Sequence, residues 1–172
     1  PDGWGRLLTD RLLRQRGIDP YSIGTLTRLS IVGSSGMGAL EYEPAADIEN
    51  GVAATDLDDI ARECANLLET DFSEDLDQLF ALGGSSGGAR PKILTEVDGE
   101  EWIIKFPSSV DSANIGEQEY QISVLARECG IDMPETRLFA SAQCSGYFGV
   151  RRFDRTRDDD GTEHKVHMIS AG

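Results

Sequence analysis

The stretch PKILTEVDGEEWIIKF, residues 91–106, decides the fold of this chain. Two strand-like runs flank Asp98-Gly99, and both residues of a two-residue hairpin turn must accept a positive φ, which Asp and Gly tolerate. The pattern therefore predicts an antiparallel hairpin. Counting back from the turn places Lys92 directly opposite Lys105, at the end of the hairpin where a glycine-rich loop begins.

Apolar residues at helical spacing predict helices on both sides of the hairpin. The first predicted helix runs through Trp4 and Leu12 and stops at Gly17, and the second spans Leu26–Ile31. The third is capped by Thr55 and carries Ile60 and Cys64, and the fourth is capped by Ser73 and runs through Phe80. The fifth begins with a capping box of Asn114 and Glu117 and stops at Gly130. Further strands are expected at Ala39–Glu43, Thr136–Ala140 and Tyr147–Phe153, followed by a polar turn over Asp154–Gly161. Together these elements give an α+β fold.

Two other segments connect these elements. Residues 33–38, GSSGMG, are interpreted as a turn, because glycine-rich turns are common and this spacing is not specific. Residues 45–54 are small, acidic or turn-forming, and we expect them to link two lobes.

The loop GGSSGGARPK, residues 83–92, leads into the hairpin. Its glycines let backbone N–H groups converge and its two serines add hydroxyl donors, so the loop can cradle a phosphate. The spacing matches neither a P-loop nor a dinucleotide fingerprint, and by composition a flexible linker is an equally good interpretation. The facing pair Lys92 and Lys105 favours the phosphate, because an anion between two like charges turns repulsion into attraction. The alternatives are a shifted register, or two ammonium groups that extend into water.

Lys105 lies in a largely apolar run, where a buried cation needs a partner. The next predicted helix offers Glu117 and Glu119. Since Glu117 is assigned to the capping box, Glu119 is the predicted partner, with a solvated glutamate as the alternative. A strand lysine paired with a helix glutamate is the arrangement that protein kinases use to hold the phosphates of ATP.

Composition limits the classes of function. The chain has 172 residues, of which 39% are hydrophobic, so it can build one ordinary core or two small ones. No apolar run reaches the roughly 18 residues of a membrane span, and no secretory leader is visible, so neither a membrane protein nor a secreted one is expected. The net charge of -15 repels a phosphate backbone, and direct nucleic-acid binding is not expected.

Metal and thiol chemistry are also not expected. Three cysteines form no CxxC pair, which fits a reducing cytosol. His164 and His167 are three residues apart, so on a strand they point to opposite faces and cannot share a metal. The chain begins at Pro1 and stops at Gly172, directly after a strand-like run, and we expect it to be a segment of a longer protein.

Five short motifs follow one another along the chain. They are PDGWGRLL at residues 1–8, GMGALEY at 36–42, GGARPK at 87–92, IIKF at 103–106 and RFDR at 152–155. In this order they resemble the HipA-like proteins, the serine/threonine kinase toxins of bacterial toxin–antitoxin modules. The resemblance covers essentially the whole chain.

The resemblance implies a small N-terminal subdomain packed on a protein-kinase-like N-lobe with an antiparallel sheet and flanking helices. Residues 1–50 are assigned to the subdomain and residues 51–172 to the N-lobe. One departure is the helical pattern of Asp75–Leu82, where a kinase would place a strand.

The resemblance also implies a set of ATP-binding residues. They are Ser85, Ser86, Gly87, Gly88, Ala89, Lys92, Lys105, Glu119, Arg151 and Phe153. Arg151 and Phe153 match the strand whose backbone holds the adenine, although many relatives carry Glu at the position of Arg151. Ser85 matches a serine that such kinases autophosphorylate, and a phosphate there would oppose ATP binding through its added charge.

The implied cofactors are ATP and Mg²⁺. The catalytic loop and the metal-binding Asp of the family are expected beyond Gly172, so no catalytic or metal-ligating residue is assigned within the segment, and the segment alone is expected to be inactive. The implied partners are a HipB-like helix-turn-helix antitoxin and a protein substrate such as an aminoacyl-tRNA synthetase. The implied location is the cytoplasm, and DNA would be contacted only through the antitoxin. The alternative is a non-catalytic interaction module that docks an antitoxin and uses the glycine loop as a hinge.

Overall fold

The predicted hairpin is present in the computed structural model, which describes residues 2–46 and 56–169. Strand β1 (Lys92–Val97) pairs antiparallel with β2 (Glu100–Lys105), and Lys92 lies opposite Lys105. Asp98 and Gly99 have φ values of 55° and 80°, the positive values that the turn requires. The register deduced from the turn is therefore confirmed, and the two lysines face each other across the strands.

Two further strands extend the hairpin into a four-stranded antiparallel sheet. Strand β3 is Thr136–Phe139 and β4 is Tyr147–Arg151, and the order across the sheet is β1-β2-β4-β3. A separate two-stranded sheet consists of β5 (Arg155–Arg157) and β6 (Glu163–Lys165). The prediction of a polar turn over Asp154–Gly161 is therefore wrong for its first half, because β5 pairs there with β6.

Five helices accompany the sheets in the described ranges, which makes the fold α+β. They are α1 (Gly3–Gln15), α2 (Thr25–Val32), α3 (Leu57–Thr70), α4 (Leu76–Gly83) and α5 (Ile115–Glu128). Gly17 and Gly130 have positive φ values of 75° and 81°, as expected of residues that end a helix. None of these helices combines the length and the apolar character that crossing a bilayer requires.

The caps of α3 and α4 differ from those predicted. The side chain of Asp56 accepts the N–H of Asp58 at 2.8 Å and caps α3, whereas Thr55 lies outside the described residues. Helix α4 begins after Asp75, whose N–H donates to the Ser73 hydroxyl at 3.2 Å. Ser73 therefore orders the turn before the helix and is not its N-cap.

The capping box predicted for α5 is also wrong. Asn114 precedes the helix, but its side-chain oxygen accepts from Ser112 and from Gln118 and makes no capping bond to the helix backbone. Glu117 remains an acidic residue of the first helical turn, where the helix dipole favours negative charge.

Residues 39–43 do not form the strand predicted for them. The segment returns to the preceding loop, where the N–H of Tyr42 donates to the carbonyl of Gly33 at 3.1 Å. The alternation of its side chains does not mark a buried face, since Leu40 is 55% exposed. Of the predicted linker 45–54, residues 47–54 lie outside the described residues.

One hydrophobic cluster joins the helices to the sheet. Trp4 and Leu8 of α1 pack with α3 and α4 on the sheet face that carries Ile93, Trp102 and Ile104, and all five side chains are at most 1% exposed. Each such residue contributes roughly 1.5–3 kcal/mol of burial free energy. Residues on both sides of position 50 share this core, while the domain boundary itself stays a prediction.

Candidate functional site

The two lysines lie on the sheet face that does not carry the main core. Side chains alternate along a strand, so Lys105 and Ile103 point away from the buried Ile104. Helix α5 covers part of this second face. There the Ser123 hydroxyl lies 2.9 Å from that of Thr136.

Lys105 forms an ion pair with Glu119 of α5, with 2.8 Å between Nζ and Oε2. Its ammonium also lies 5.2 Å from the centre of the Phe148 ring, on the neighbouring strand. Helix α5 can approach this closely because Gly116 has no side chain, since a Cβ there would come within 2.2 Å of the Gly146 carbonyl oxygen. The strand lysine and helix glutamate suggested by the sequence therefore do meet.

Lys92 is buried, with 8% of its surface exposed, and its ammonium is directed at the glycine loop. It donates to the carbonyls of Gly87 at 2.5 Å and Gly88 at 3.3 Å. Burial, and next the charge of Lys105, lower the pKa of Lys92 to about 8. A nearby anion would favour the charged form of the lysine.

The loop between α4 and β1 is held by its own serines. The Ser86 hydroxyl is fully buried and donates to the Gly83 carbonyl at 2.6 Å. The Ser85 hydroxyl donates to the Ser35 carbonyl at 2.9 Å, on the other glycine loop. Gly88 has a φ of 77°, so the loop uses a conformation that favours glycine.

The N-terminal segment lies against the same loop. The Asp2 carboxylate accepts the N–H of Gly88 at 2.8 Å, and the N–H of Trp4 donates to the Gly88 carbonyl, also at 2.8 Å. Gly3 permits this approach, because a Cβ there would lie 2.3 Å from the Gly88 oxygen. The N–H of Gly88 is thus occupied by a carboxylate of the chain itself.

Apolar side chains continue the face from the lysines toward the end of β4. Leu94 pairs with Ile103, and Ile103 pairs with Val150, so the three residues form a row across β1, β2 and β4. All three side chains are partly exposed. We call Leu94, Ile103 and Val150 the apolar row; it lies on the same sheet face as Lys105, with Ile103 two residues before Lys105 on β2.

Arg151 and Phe153 are not brought to this row by their side chains. Arg151 pairs with Trp102 and therefore points to the opposite face, while its backbone N–H donates to the Glu135 carbonyl at 2.8 Å. The Phe153 side chain is 57% exposed. Both residues line a cleft of about 880 Å³ beside the β5–β6 sheet. The Arg151 side chain therefore does not extend the apolar row.

Asp154 is a residue whose role the sequence did not reveal. It is 1% exposed, accepts two bonds from Arg152 at 2.9 and 2.8 Å and accepts the N–H of Gly38 at 2.7 Å. Burial opposes its ionisation, but these partners hold the pKa of Asp154 below its usual value. Arg155 donates to the carbonyls of Gly36 and Gly38, so the RFDR motif fixes the loop of residues 33–38.

Arg90 and Asp111 are two further residues that the sequence did not single out. Arg90 follows the glycine loop and donates to Asp111 twice, at 3.0 Å each, and to Glu119. The sequence contained one sign of this cluster, because Arg90 lies within the GGARPK motif. Its partners could not be identified, because they are 21 and 29 residues away.

The described ranges 2–46 and 56–169 contain no group of three side chains that could hold a metal ion. His164 lies in β6 and is 2.7 Å from Asp158, and His167 follows the strand. Cys64 is buried, and burial raises the pKa of its thiol, so it is an unreactive core residue.

Comparison with known proteins found a match to one family model. A family model described as the HipA-like C-terminal domain matches residues 84–172, which is just over half of the chain. A search of curated proteins returned no match. The matched range begins at the glycine loop and includes both lysines, Glu119 and the RFDR motif.

Proposed function

Because the chain belongs to the HipA-like family, we propose that it is the ATP-binding segment of a serine/threonine kinase toxin. The observation that carries the proposal is the Lys105–Glu119 ion pair, set beside a glycine loop and facing Lys92. Kinases hold ATP phosphates with a strand lysine that a helix glutamate orients. We also propose that the sheet and α5 correspond to a kinase N-lobe.

The parts of the nucleotide match parts of the site. Lys105 and Lys92 would contact phosphate oxygens, and the apolar row would lie under the purine base. The backbone beyond β4 would contact the edge of the base, a role that does not depend on the side chain of Arg151. Phosphate binding would require that Lys92 turn from the loop carbonyls and that Gly88 exchange its bond to Asp2.

We propose that Mg²⁺ and the catalytic base come from residues outside this segment; within the described ranges, no group of three side chains could hold a metal ion. Phosphoryl transfer needs metal-bound phosphates and a positioned base. The proposal for this segment is therefore nucleotide binding, and turnover is assigned to a longer protein.

Ser85 is the proposed site of inhibitory autophosphorylation. Its hydroxyl donates to Ser35, and a phosphate there would replace that bond with about 1.5 to 2 negative charges beside the nucleotide phosphates. Intact mass of the full-length protein incubated with Mg-ATP tests this. One added phosphate that disappears in Ser85→Ala is expected, and modification elsewhere only would contradict it.

The proposed partners follow from the family. A HipB-like antitoxin would restrain the toxin and contact DNA, and a protein such as an aminoacyl-tRNA synthetase would be phosphorylated in the cytoplasm. A second candidate function is a docking module without nucleotide. It is favoured by the bonds that the glycine loop already makes to Asp2, Trp4 and Ser35.

ATP titration of this chain separates the two functions. We expect saturable binding, weakened by about tenfold or more in Lys105→Ala, since one charged phosphate contact is worth about 1.5–3 kcal/mol. Arg62→Ala removes an exposed positive charge on α3 and is the matched control. The kinase proposal fails if the wild-type chain does not bind ATP, or if both variants bind as it does.

A further inference from the structure

We propose that Arg90 is a positioning residue that fixes the Glu119 carboxylate, and through it the ammonium of Lys105, for the phosphates. This inference rests on the nucleotide-binding function proposed above. It assigns to Arg90 no contact with the nucleotide. Arg90 lies between the glycine loop and β1. Its hydrogen bond to Glu119 links this part of the chain to α5.

The guanidinium of Arg90 uses both of its edges. Nε and Nη2 donate to the two oxygens of Asp111 at 3.0 Å each, and Nη1 donates to Oε1 of Glu119. A planar fork bound at two carboxylates fixes the orientation of each. Glu119 therefore has one oxygen on Arg90 and the other on Lys105.

Asp111 is itself anchored. Its Oδ2 accepts the N–H of Ser108 at 2.9 Å and the Ser108 hydroxyl at 2.7 Å, and these bonds, with Arg90, hold the pKa of Asp111 below its usual value. Asp111 has 11% of its side chain exposed, so it is a fixed anion and not a mobile surface group. The contacts run from Ser108 through Asp111, Arg90 and Glu119 to Lys105.

The arrangement limits how Glu119 can act on Lys105. Without Arg90, both oxygens of Glu119 would be free to fold over the ammonium, and Asp111 and Glu119 would both add uncompensated negative charge near the phosphates. With Arg90, Glu119 presents one fixed oxygen, which leaves the other donors of Lys105 directed elsewhere. Arg90 can thus act through geometry and through charge.

Asp111 allows these two effects to be separated. Asp111→Asn removes a negative charge from the neighbourhood of the site and preserves the shape of the side chain. If charge alone matters, ATP binds more tightly to this variant. If positioning matters, ATP binds more weakly, because the bidentate contact that aligns Arg90 is lost.

The experiment is calorimetric titration of the whole chain with ATP, and an NMR titration with adenosine as a probe without phosphates. We expect Arg90→Ala to weaken ATP binding by about tenfold, and Arg90→Lys and Asp111→Asn by about three- to fivefold. Adenosine affinity should change by less than about twofold in each variant, since the base does not contact this cluster. Arg62→Ala is the control for loss of a positive charge elsewhere.

The outcomes are distinct. If the wild-type chain binds no ATP, the proposed function fails and this inference fails with it. If it binds ATP and Asp111→Asn binds as tightly or more tightly, or Arg90→Lys is indistinguishable from wild type, the function stands and the positioning role is overturned. Equal losses for ATP and adenosine would indicate a general defect of the fold and would also overturn it. Unchanged thermal unfolding of Asp111→Asn keeps the comparison valid.

Discussion

The two glycine loops of this molecule use the same contacts in different surroundings. In residues 33–38, the N–H of Gly38 is bound by Asp154 and the carbonyls are bound by Arg155. In the loop before β1, the N–H of Gly88 is bound by Asp2 and the carbonyls are bound by Lys92. Each loop thus has one carboxylate on an amide and one cation on its carbonyls.

Burial distinguishes the two. Asp154 is 1% exposed and is held between two arginines, whereas Asp2 is exposed. A buried ion pair cannot be exchanged for a ligand without a large desolvation cost, but an exposed carboxylate can be replaced by a phosphate oxygen. Glycine content alone therefore does not distinguish the two loops; the exposure of the carboxylate on the loop amide does, since Lys92 and the Arg155 side chain are equally buried.

The largest expected effect is a difference in the free energy of unfolding when the carboxylate of each loop is removed. Asp154→Ala leaves Arg152 and Arg155 buried without their shared partner, and we expect a loss of about 3–5 kcal/mol in the free energy of unfolding. Asp2→Ala on the other loop should cost no more than about 1 kcal/mol. Urea unfolding of both variants measures the difference, and similar losses would remove the distinction.

In contrast to Asp154→Ala, Lys92→Met should weaken ATP binding without destabilising the fold. It removes a buried cation whose pKa is lowered, so stability near neutral pH should be unchanged or increased. ATP affinity should fall by about tenfold, because a phosphate contact is lost. Titration and thermal unfolding of the same preparation test both parts. A destabilised variant with normal ATP affinity would show that Lys92 is only a structural ligand of the loop carbonyls.

The pH dependence of binding sharpens the assignment to Lys92. Its pKa in the fold is about 8, so ATP affinity should decline as pH rises through that value, because the lysine loses its charge. The free energy of unfolding should instead increase as the pH rises. Since the ordinary pKa is 10.5, the unfolded chain binds more protons between about 8 and 10.5, and the fold gains stability as pH rises across that interval. Lys92→Met should abolish both trends, and persistence of either in that variant would assign it to another group.

The smallest expected effect concerns Asp2. Asp2→Asn retains an acceptor for the N–H of Gly88 and removes the charge that competes with phosphate. Measured below the pKa of Lys92, ATP affinity should rise by about two- to threefold, and the gain should shrink in high salt. A weaker affinity would indicate that Asp2 supports the nucleotide-binding shape of the loop.

The parts predictable from sequence are those that local chemistry determines. Asp98-Gly99 determined the hairpin register, and with it the position of Lys92 opposite Lys105. Gly17 ended α1 as predicted. Glu119 was chosen only because Glu117 was assigned to a capping box that the structure does not contain, although Glu119 does pair with Lys105. These features need only neighbouring residues or a fixed repeat, so one sequence suffices to find them.

The parts not predicted depend on long-range partners. Residues 39–43 alternate like a strand, but the loop that they contact determines their path. Asp154 reaches Gly38 across 116 positions of the chain, and Arg90 reaches Asp111 across 21. Asn114 had the pattern of a capping residue, yet Ser112 and Gln118 bind its side chain instead. No local pattern identifies such pairings.

An NMR titration of the chain with ATP, following the backbone amides of both glycine loops, tests the central claim most directly. We predict saturable shifts for Gly87 and Gly88 in the loop before β1 and for Lys105 in β2, while Gly36 and Gly38 stay unchanged because the side chains of Asp154 and Arg155 that bind them are buried. Absent shifts in the loop before β1, or equal shifts in both loops, would contradict the account.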